Sequence, residues 1–269
     1  MNSNHSGSKT TTKDTNTDTS WNKVANWYQS IPLEASSNHQ TIIIPKLKEL
    51  CAKYLFPEAE IIDLACGEGT ITAALAAAGY QVEGFDLAKD LISLAKKNNP
   101  EIKFGIADAQ DLSADFRKEH EAKFDAVVSV LALQNIRGIK KAMLNAGQML
   151  KSHGYFIFVL NHPAFRVPKA SGWIFKGNAY QNRSISKYMT EFESPITAHP
   201  GDEKSEITWS FHRPLQSYVK YLQLNGLAIV DLEEWVSAKV SEPGPRANAE
   251  NTARKEIPLF MTIVAKKLN

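Results

Sequence analysis

Cysteine is scarce in this sequence. Only Cys51 and Cys66 occur among the 269 residues, so neither a disulfide framework nor a cysteine-rich metal site can be built. The seven histidines show no ligand spacing on a shared helix, and we predict no metal site. This composition fits a reduced, intracellular setting.

Long apolar runs and an excess of charge of one sign are missing as well. No stretch approaches the roughly 18 apolar residues of a membrane span, and the first residues lack an apolar signal core. We therefore expect a cytoplasmic protein with no membrane partner. Lys and Arg total 31 against 29 Asp and Glu, which argues against nucleic acid as a partner. The sequence makes no prediction of oligomeric state.

The apolar residues that are present suggest one domain. Residues 1–20 contain almost nothing apolar, and we expect a disordered tail there. Residues 21–269 suit one large domain. Within it, residues 21–57 predict a helical cap, and residues 161–212 predict an insertion on the substrate side.

Short apolar segments alternate with amphipathic ones over most of the chain. Strands are predicted at residues 60–65, 81–85, 102–107, 124–130 and 154–160, and helices at 70–78, 87–97 and 139–150. This alternation predicts an α/β fold with a doubly wound, mostly parallel sheet that has helices on both faces.

Weaker patterns follow the fifth predicted strand. A strand is predicted at residues 206–211, and a helix begins at Leu215 and ends before Asn225. Two last strands are predicted at residues 227–232 and 259–265. The polar residues 241–254 between them predict a long hairpin that leans over the substrate side, so the two strands should pair antiparallel.

The clearest local signal is segment 61–70, with the sequence Ile-Ile-Asp-Leu-Ala-Cys-Gly-Glu-Gly-Thr. A buried strand leads into a glycine turn and then a helix. Gly67 and Gly69 would let a ligand touch the backbone, and the start of the helix offers free N–H donors. Asp86 ends the next strand, where a carboxylate can accept both hydroxyls of a ribose. These features predict a nucleoside ligand at the carboxyl edge of the sheet.

Two residues bear on which nucleoside is bound. The dinucleotide fingerprint has a third glycine where this chain has Thr72. Asp63, inside the first strand, could act on a cationic amino-acid group, directly or through water. S-adenosyl-L-methionine (SAM) carries an ammonium and a sulfonium, whereas an acid would repel the pyrophosphate of NAD. The residues therefore favour SAM over NAD.

Four segments together resemble the motifs of the class I SAM-dependent methyltransferases. They are residues 63–69 (Asp-Leu-Ala-Cys-Gly-Glu-Gly), 83–87 (Glu-Gly-Phe-Asp-Leu), 105–109 (Gly-Ile-Ala-Asp-Ala) and 124–129 (Phe-Asp-Ala-Val-Val-Ser). Within the class, the chain is similar to the ubiquinone/menaquinone C-methyltransferase-like group. The resemblance implies a Rossmann-like sheet of seven strands with the last strand antiparallel.

The resemblance also implies roles for individual residues. Asp86 would hold the ribose, Asp108 the adenine amino group, and the Ala109 backbone N–H the adenine ring. The implied cofactor-binding set is Asp63, Cys66, Gly67, Gly69, Asp86, Leu87, Asp108, Ala109 and Leu131. The alternatives are that the glycines only form a turn and the acids are solvated strand ends. Cys66 is interpreted as a small packed residue, because nothing beside it would lower its pKa.

Residues near the same edge are candidates for contact with the acceptor. Asn161 and Arg166 follow the fifth predicted strand, whose end faces the substrate in this fold class. Tyr28 and His39 lie where the family often folds a helical lid over SAM. His162 is our candidate general base, since its pKa suits neutral pH. The alternative is that His162 fixes its loop through a backbone hydrogen bond.

The leading hypothesis is an enzyme that transfers a methyl group from SAM to a small molecule. The long aromatic insertion suggests an enclosed pocket for that molecule. Two alternatives stay open: an RNA or protein methyltransferase, and a non-catalytic SAM-binding module. The first would need a basic, open surface, and the second need not keep the full set of predicted site residues.

Overall fold

The computed structural model describes residues 37–197 and 207–269. The predicted tail and Tyr28 lie outside these residues, and the assignment of residues 21–269 to one domain stays a prediction. In chain order the elements are α1 (Ile44–Tyr54), β1 (Glu60–Leu64), α2 (Thr70–Ala76), β2 (Gln81–Asp86), α3 (Lys89–Asn98), β3 (Lys103–Ile106), α4 (Ala114–His120), β4 (Phe124–Val130), α5 (Ile139–Met149), β5 (Leu150–Asn161), β6 (Ser171–Lys176), β7 (Tyr180–Ile185), β8 (Phe192–Thr197), β9 (Ile207–His212), α6 (Leu215–Leu224), β10 (Leu227–Trp235), α7 (Ala247–Glu256) and β11 (Phe260–Lys267).

Seven strands form one sheet in the order β10-β11-β5-β4-β1-β2-β3. Strand β1 lies between β2 and β4 and is parallel to both. Strand β11 is antiparallel to β5 on one side and to β10 on the other. The doubly wound, mostly parallel sheet with an antiparallel last strand is therefore confirmed, as is the antiparallel pairing of the final two strands.

The central strands are buried on both faces, as their apolar sequences predict. Ile62 and Val127 belong to a cluster shared with α5 and α6. Ile61 and Val128, their neighbours in sequence, belong to the opposite cluster with α1 and α2. Because successive side chains of a strand point to opposite faces, one short apolar segment supports both layers of helix and fixes where the strand ends lie.

The described part of the N-terminal segment is helical. A π-helical turn, His39–Ile43, runs directly into α1, and Ile43, Leu47 and Leu50 are buried under it. The Tyr54 hydroxyl, at the other end, donates to Asp231 of β10 at 2.8 Å. These contacts hold the segment on the sheet, with His39 at its leading end.

The region after β5 forms two small hairpins. Strands β6 and β7 pair antiparallel, and so do β8 and β9. The strand predicted at residues 206–211 corresponds to β9. Residues 241–254 do lie in the connection between the antiparallel strands β10 and β11, but the helix α7, which occupies the end of that segment, was not predicted. Its buried face consists of Ala249 and Ala253, and two alanines give too weak an apolar pattern to predict a helix.

Residues 37–197 and 207–269 contain no helix long and apolar enough to cross a membrane. Nor do they contain a group of three or more His, Cys, Asp or Glu side chains placed to hold a metal ion.

Candidate functional site

The turn after β1 contains three residues in the left-handed region: Ala65 at φ 62°, Gly67 at φ 58° and Gly69 at φ 82°. The two glycines serve different purposes. A Cβ on Gly69 would lie 2.7 Å from the Phe104 ring, whereas a Cβ on Gly67 would meet nothing within 4 Å. Gly69 is therefore needed for packing against β3, and Gly67 borders open space that a ligand can fill.

Asp86 connects that turn to the end of β2. Its carboxylate accepts hydrogen bonds from the Gly67 N–H at 2.9 Å and from the Ala88 N–H at 2.8 Å. Burial raises the pKa of Asp86, while these backbone donors act in the opposite direction. A carboxylate so held beside the open space at Gly67 can accept further hydrogen bonds from a ligand's hydroxyl groups.

Asp63 is almost fully buried inside β1. It accepts a hydrogen bond from the Thr72 hydroxyl at 2.7 Å, which explains why threonine is useful where a dinucleotide site has glycine. Burial raises the pKa of Asp63 to about 7, although the Thr72 hydrogen bond lowers it. Asp63 is thus poised to ionise near neutral pH, and a nearby ligand cation would favour that ionisation.

The other predicted cofactor residues lie at the same edge of the sheet. Asp108 follows β3 and accepts the Gln110 N–H at 3.0 Å, and Ala109 beside it is buried. Leu87 follows Asp86 directly, and its backbone N–H helps to lower the pKa of that carboxyl. Burial raises the pKa of the Cys66 thiol well above its usual value, which supports its interpretation as a packed residue.

Leu131 follows β4 and also has a left-handed backbone, at φ 52°. Its N–H donates to the Val159 carbonyl at 2.8 Å. Its carbonyl accepts from the side chains of Gln134 at 2.6 Å and Asn135 at 3.2 Å. Strain of this kind persists only where the surroundings impose it, and it concentrates at functional sites. Both central strands, β1 and β4, end in this way.

Four predicted site residues meet in one cavity at this edge. The edge cavity has a volume of about 350 Å³ and is lined by Asn38, His39, Leu131, Asn161, Arg166, Leu259 and Phe260. Thus His39, Asn161 and Arg166, all predicted to contact the acceptor, share it with Leu131. Burial lowers the pKa of His39, so its imidazole is neutral at pH 7 and able to accept a proton.

His162 does not line the edge cavity. Its Nε2 lies 2.6 Å from a Glu234 carboxylate oxygen, and its Nδ1 accepts the backbone N–H groups of Ala164 and Phe165 at 3.2 and 3.3 Å. With Nδ1 accepting, Nε2 carries the proton and donates to Glu234. Both ring nitrogens are occupied, which favours the loop-fixing role over the general-base role.

A second cavity adjoins the first. The arginine cavity has a volume of about 380 Å³ and is lined by Arg166, Trp173, Phe175, Gln181, Ser237, Arg246, Glu250, Arg254, Ile257 and Leu259. Arg166 and Leu259 line both cavities. The sequence analysis missed Arg246 and Arg254, because only the unpredicted helix α7 brings them to the hairpin β6–β7.

Residues 62–158 match a protein family described as a methyltransferase domain. A curated relative, the ubiquinone biosynthesis O-methyltransferase of Xanthomonas campestris, is 27% identical over 147 residues, which are 53% of this chain and 58% of the relative. A similar match, 28% identical over 142 residues, is the protein of the same description from Haemophilus ducreyi. The chain thus spans a little over half the length of these relatives.

Solved structures agree with the fold. A SAM-dependent methyltransferase from Mesorhizobium loti superimposes with a TM-score of 0.65 at 23% identity, covering 86% of this chain and 98% of the other. At this identity the likeness concerns the arrangement of the backbone. The residues matched to the family, 62–158, include the glycine turn and the strand ends described above.

Proposed function

We propose that this chain binds SAM and transfers its methyl group to a small-molecule acceptor. The match of residues 62–158 to a methyltransferase domain family and the likeness of the fold to a SAM-dependent methyltransferase support this proposal. The observation that carries the proposal is the open space beside Gly67, with the Asp86 carboxylate fixed next to it. That arrangement lies at the carboxyl edge of the parallel strands, where open α/β sheets bind their ligands.

The residues at this edge fit SAM in three respects. Asp86 can accept the ribose hydroxyls, and Asp108 lies at the end of the neighbouring strand for the adenine. Asp63 offers a carboxylate that ionises near pH 7, which suits a cationic amino-acid group. A dinucleotide fits less well, because acidic residues repel a pyrophosphate.

When bound, SAM supplies a methyl group on a sulfonium, which an electron-rich acceptor atom can take. The chain's own residues position that acceptor, and orientation accounts for much of the rate in such transfers. The left-handed turn at Leu131 shapes the edge cavity, and Asn161 offers an amide for hydrogen bonds to a polar acceptor.

The curated relatives are named O-methyltransferases, so an oxygen acceptor is the first class to test. A hydroxyl must lose its proton as it is methylated. His39 lines the edge cavity, is neutral at pH 7 and makes no hydrogen bond through its ring to any residue in the described ranges. We therefore propose His39, in place of His162, as the group that accepts this proton.

Calorimetric titration of the full chain with SAM tests the proposal, with NAD as the comparison. We expect SAM to bind with one site and to raise Tm through ligand linkage, and NAD to do neither. Binding of NAD without binding of SAM would contradict the proposed function.

Labelled SAM then identifies the acceptor class in fractionated cell extract. Label in small molecules supports the proposal. Label in RNA or protein would support the alternative of a macromolecular methyltransferase. Tight SAM binding with no label in any fraction would support a non-catalytic module.

A further inference from the structure

The arginine cavity carries more positive than negative charge. Three arginines line it, Arg166, Arg246 and Arg254, against one acid, Glu250. Arg254 and Glu250 satisfy each other, since their side chains lie 3.3 Å apart on successive turns of α7. Two guanidinium groups therefore make no ion pair, one from the loop after β5 and one from the start of α7.

Arg166 lacks a counter-charge. No carboxylate of residues 37–197 or 207–269 lies within ion-pair distance of it, and its Nε is buried without a hydrogen-bond partner. Burial, together with the nearby charge of Arg183, lowers the pKa of Arg166 to about 10. A half-buried cation with a buried, unpartnered Nε is unfavourable, so the surroundings of Arg166 suit an anion.

No carboxylate among the described residues lies within ion-pair distance of Arg246, although Glu250 is near enough for the charge of Arg246 to help lower its pKa. Its guanidinium lies over the Phe175 ring, 3.7 Å from the centroid, and donates to the Gln181 side chain at 3.2 Å. These contacts hold the group in place and leave other N–H donors for a ligand. An arginine fixed in this way binds a carboxylate or phosphate at a lower entropic cost than a free one.

Four apolar residues also line the cavity, beside the polar side chains of Gln181 and Ser237. Trp173 and Phe175 come from β6, and Ile257 and Leu259 come from the segment between α7 and β11. The Trp173 ring lies under the Arg166 guanidinium at 5.7 Å and under Arg183 at 5.1 Å. Such a wall fits the apolar or aromatic body of a small molecule.

The two cavities are neighbours, because Arg166 and Leu259 line both. A molecule with its acidic group in the arginine cavity can therefore reach the edge cavity. At about 380 Å³ the arginine cavity has the size of a small-molecule site and is too small for a folded macromolecule.

We propose that the acceptor is a small molecule with an apolar, flat body and an oxyanion that Arg166 and Arg246 bind together. This inference rests on the proposed function and names the substrate class for it. The shared chemistry is that of a carboxylate or a phosphate monoester.

The test uses the full chain saturated with S-adenosylhomocysteine. The probes are 4-hydroxybenzoate, phenyl phosphate and the neutral 4-hydroxybenzamide, each titrated by calorimetry and by thermal shift. We expect one or both anions to bind and the amide to bind at least about tenfold more weakly, since it lacks a charge-assisted hydrogen bond. The preferred anion distinguishes a carboxylate from a phosphate.

Variants locate the binding. Arg246→Gln and Arg166→Gln should each raise the Kd of the preferred anion at least about tenfold. Arg117→Gln, an exposed arginine on α4, is the matched control and should change nothing. Arg166→Lys keeps the positive charge, so it is the second variant to measure if Arg166→Gln fails to fold.

The cofactor's own carboxylate is another possible partner for Arg166, and the titrations separate the two. If Arg166→Gln weakens S-adenosylhomocysteine and leaves the anionic probes unchanged, the proposal is overturned. It is also overturned if neither anion binds a wild-type protein that binds the cofactor. Failure to bind SAM or S-adenosylhomocysteine at all would instead refute the proposed function.

Discussion

The proposed cofactor side and the proposed acceptor side of this site are built in different ways. The cofactor side comes from Asp63, Gly67, Asp86 and Asp108, which follow one another within less than 50 residues at the ends of three neighbouring strands. The acceptor side brings together residues far apart in the chain, from His39 to those of α7. A local motif determines the first, and tertiary packing determines the second.

The two sides also differ in charge. Carboxylates lie at the strand ends of the proposed cofactor side, whereas three guanidinium groups and one carboxylate line the arginine cavity of the proposed acceptor side. A cationic cofactor and an anionic acceptor would each meet the opposite charge. The division also sorts the two ligands, because each would be repelled from the wrong side.

The largest expected effect concerns the glycine turn. Gly67→Val should reduce SAM affinity by on the order of 100-fold or more, because the new side chain fills the space assigned to the ligand. Gly79→Ala is the control: Gly79 has φ 94° and equally open surroundings, but it lies at the end of α2. Both substitutions should cost roughly 1–2 kcal/mol of stability through backbone strain. Equal SAM affinity in the two variants would remove Gly67 from the site.

The next effect separates two histidines. Once an acceptor is known, His39→Gln should lower turnover by roughly 10²–10⁴ with SAM affinity intact. Because burial lowers the pKa of His39, wild-type turnover should fall at a lower pH than the one at which an exposed histidine gains its proton. The turnover of His39→Gln should not show this decrease at low pH.

His162→Gln should behave in the opposite way. It breaks the link between the β5 loop and Glu234, so Tm should fall while turnover changes by less than about threefold. A large, pH-dependent loss of turnover in His162→Gln, with His39→Gln near wild type, would restore His162 as the general base.

A third prediction concerns Asp86. Asp86→Ala should weaken SAM binding by about 1.5–3 kcal/mol, or roughly 10- to 150-fold. Because Asp86 also binds the Gly67 and Ala88 amides, Asp86→Asn is needed beside it, since it retains one acceptor oxygen. Asp115→Ala, at an exposed position of α4, should bind SAM normally. Wild-type affinity in a folded Asp86→Ala protein would show that the ribose lies elsewhere.

These contrasts show how far the sequence predicts the molecule. Apolar strands such as residues 124–130 and the glycine turn are local patterns, and they predicted the sheet and the candidate cofactor side. Helix α7 was missed because its buried face is only two alanines, and with it the arginine cavity. The left-handed turn at Leu131 could not be predicted either, since its hydrogen bond to Val159 of β5 is a tertiary contact that the local sequence does not show.

The smallest expected effect is a dependence of binding on pH. Burial raises the pKa of Asp63 to about 7, and only its ionised form attracts the ammonium of S-adenosylhomocysteine. Affinity should therefore rise about tenfold between pH 6 and pH 8. Asp63→Asn should flatten this rise. Thr72→Val should move it to higher pH, because the Thr72 hydroxyl lowers the pKa of Asp63. A flat wild-type profile would contradict the role of Asp63.

The central claim is that a cationic cofactor and an anionic acceptor bind on opposite sides of one site. Parallel calorimetric titrations of wild type, Asp86→Asn and Arg246→Gln with SAM and with the preferred anionic probe test it most directly. We predict that SAM binding weakens about tenfold or more only in Asp86→Asn, and that probe binding weakens similarly only in Arg246→Gln. If both variants lose binding of both SAM and the probe, the division into a cofactor side and an acceptor side is contradicted. It is also contradicted if neither variant loses binding of either ligand.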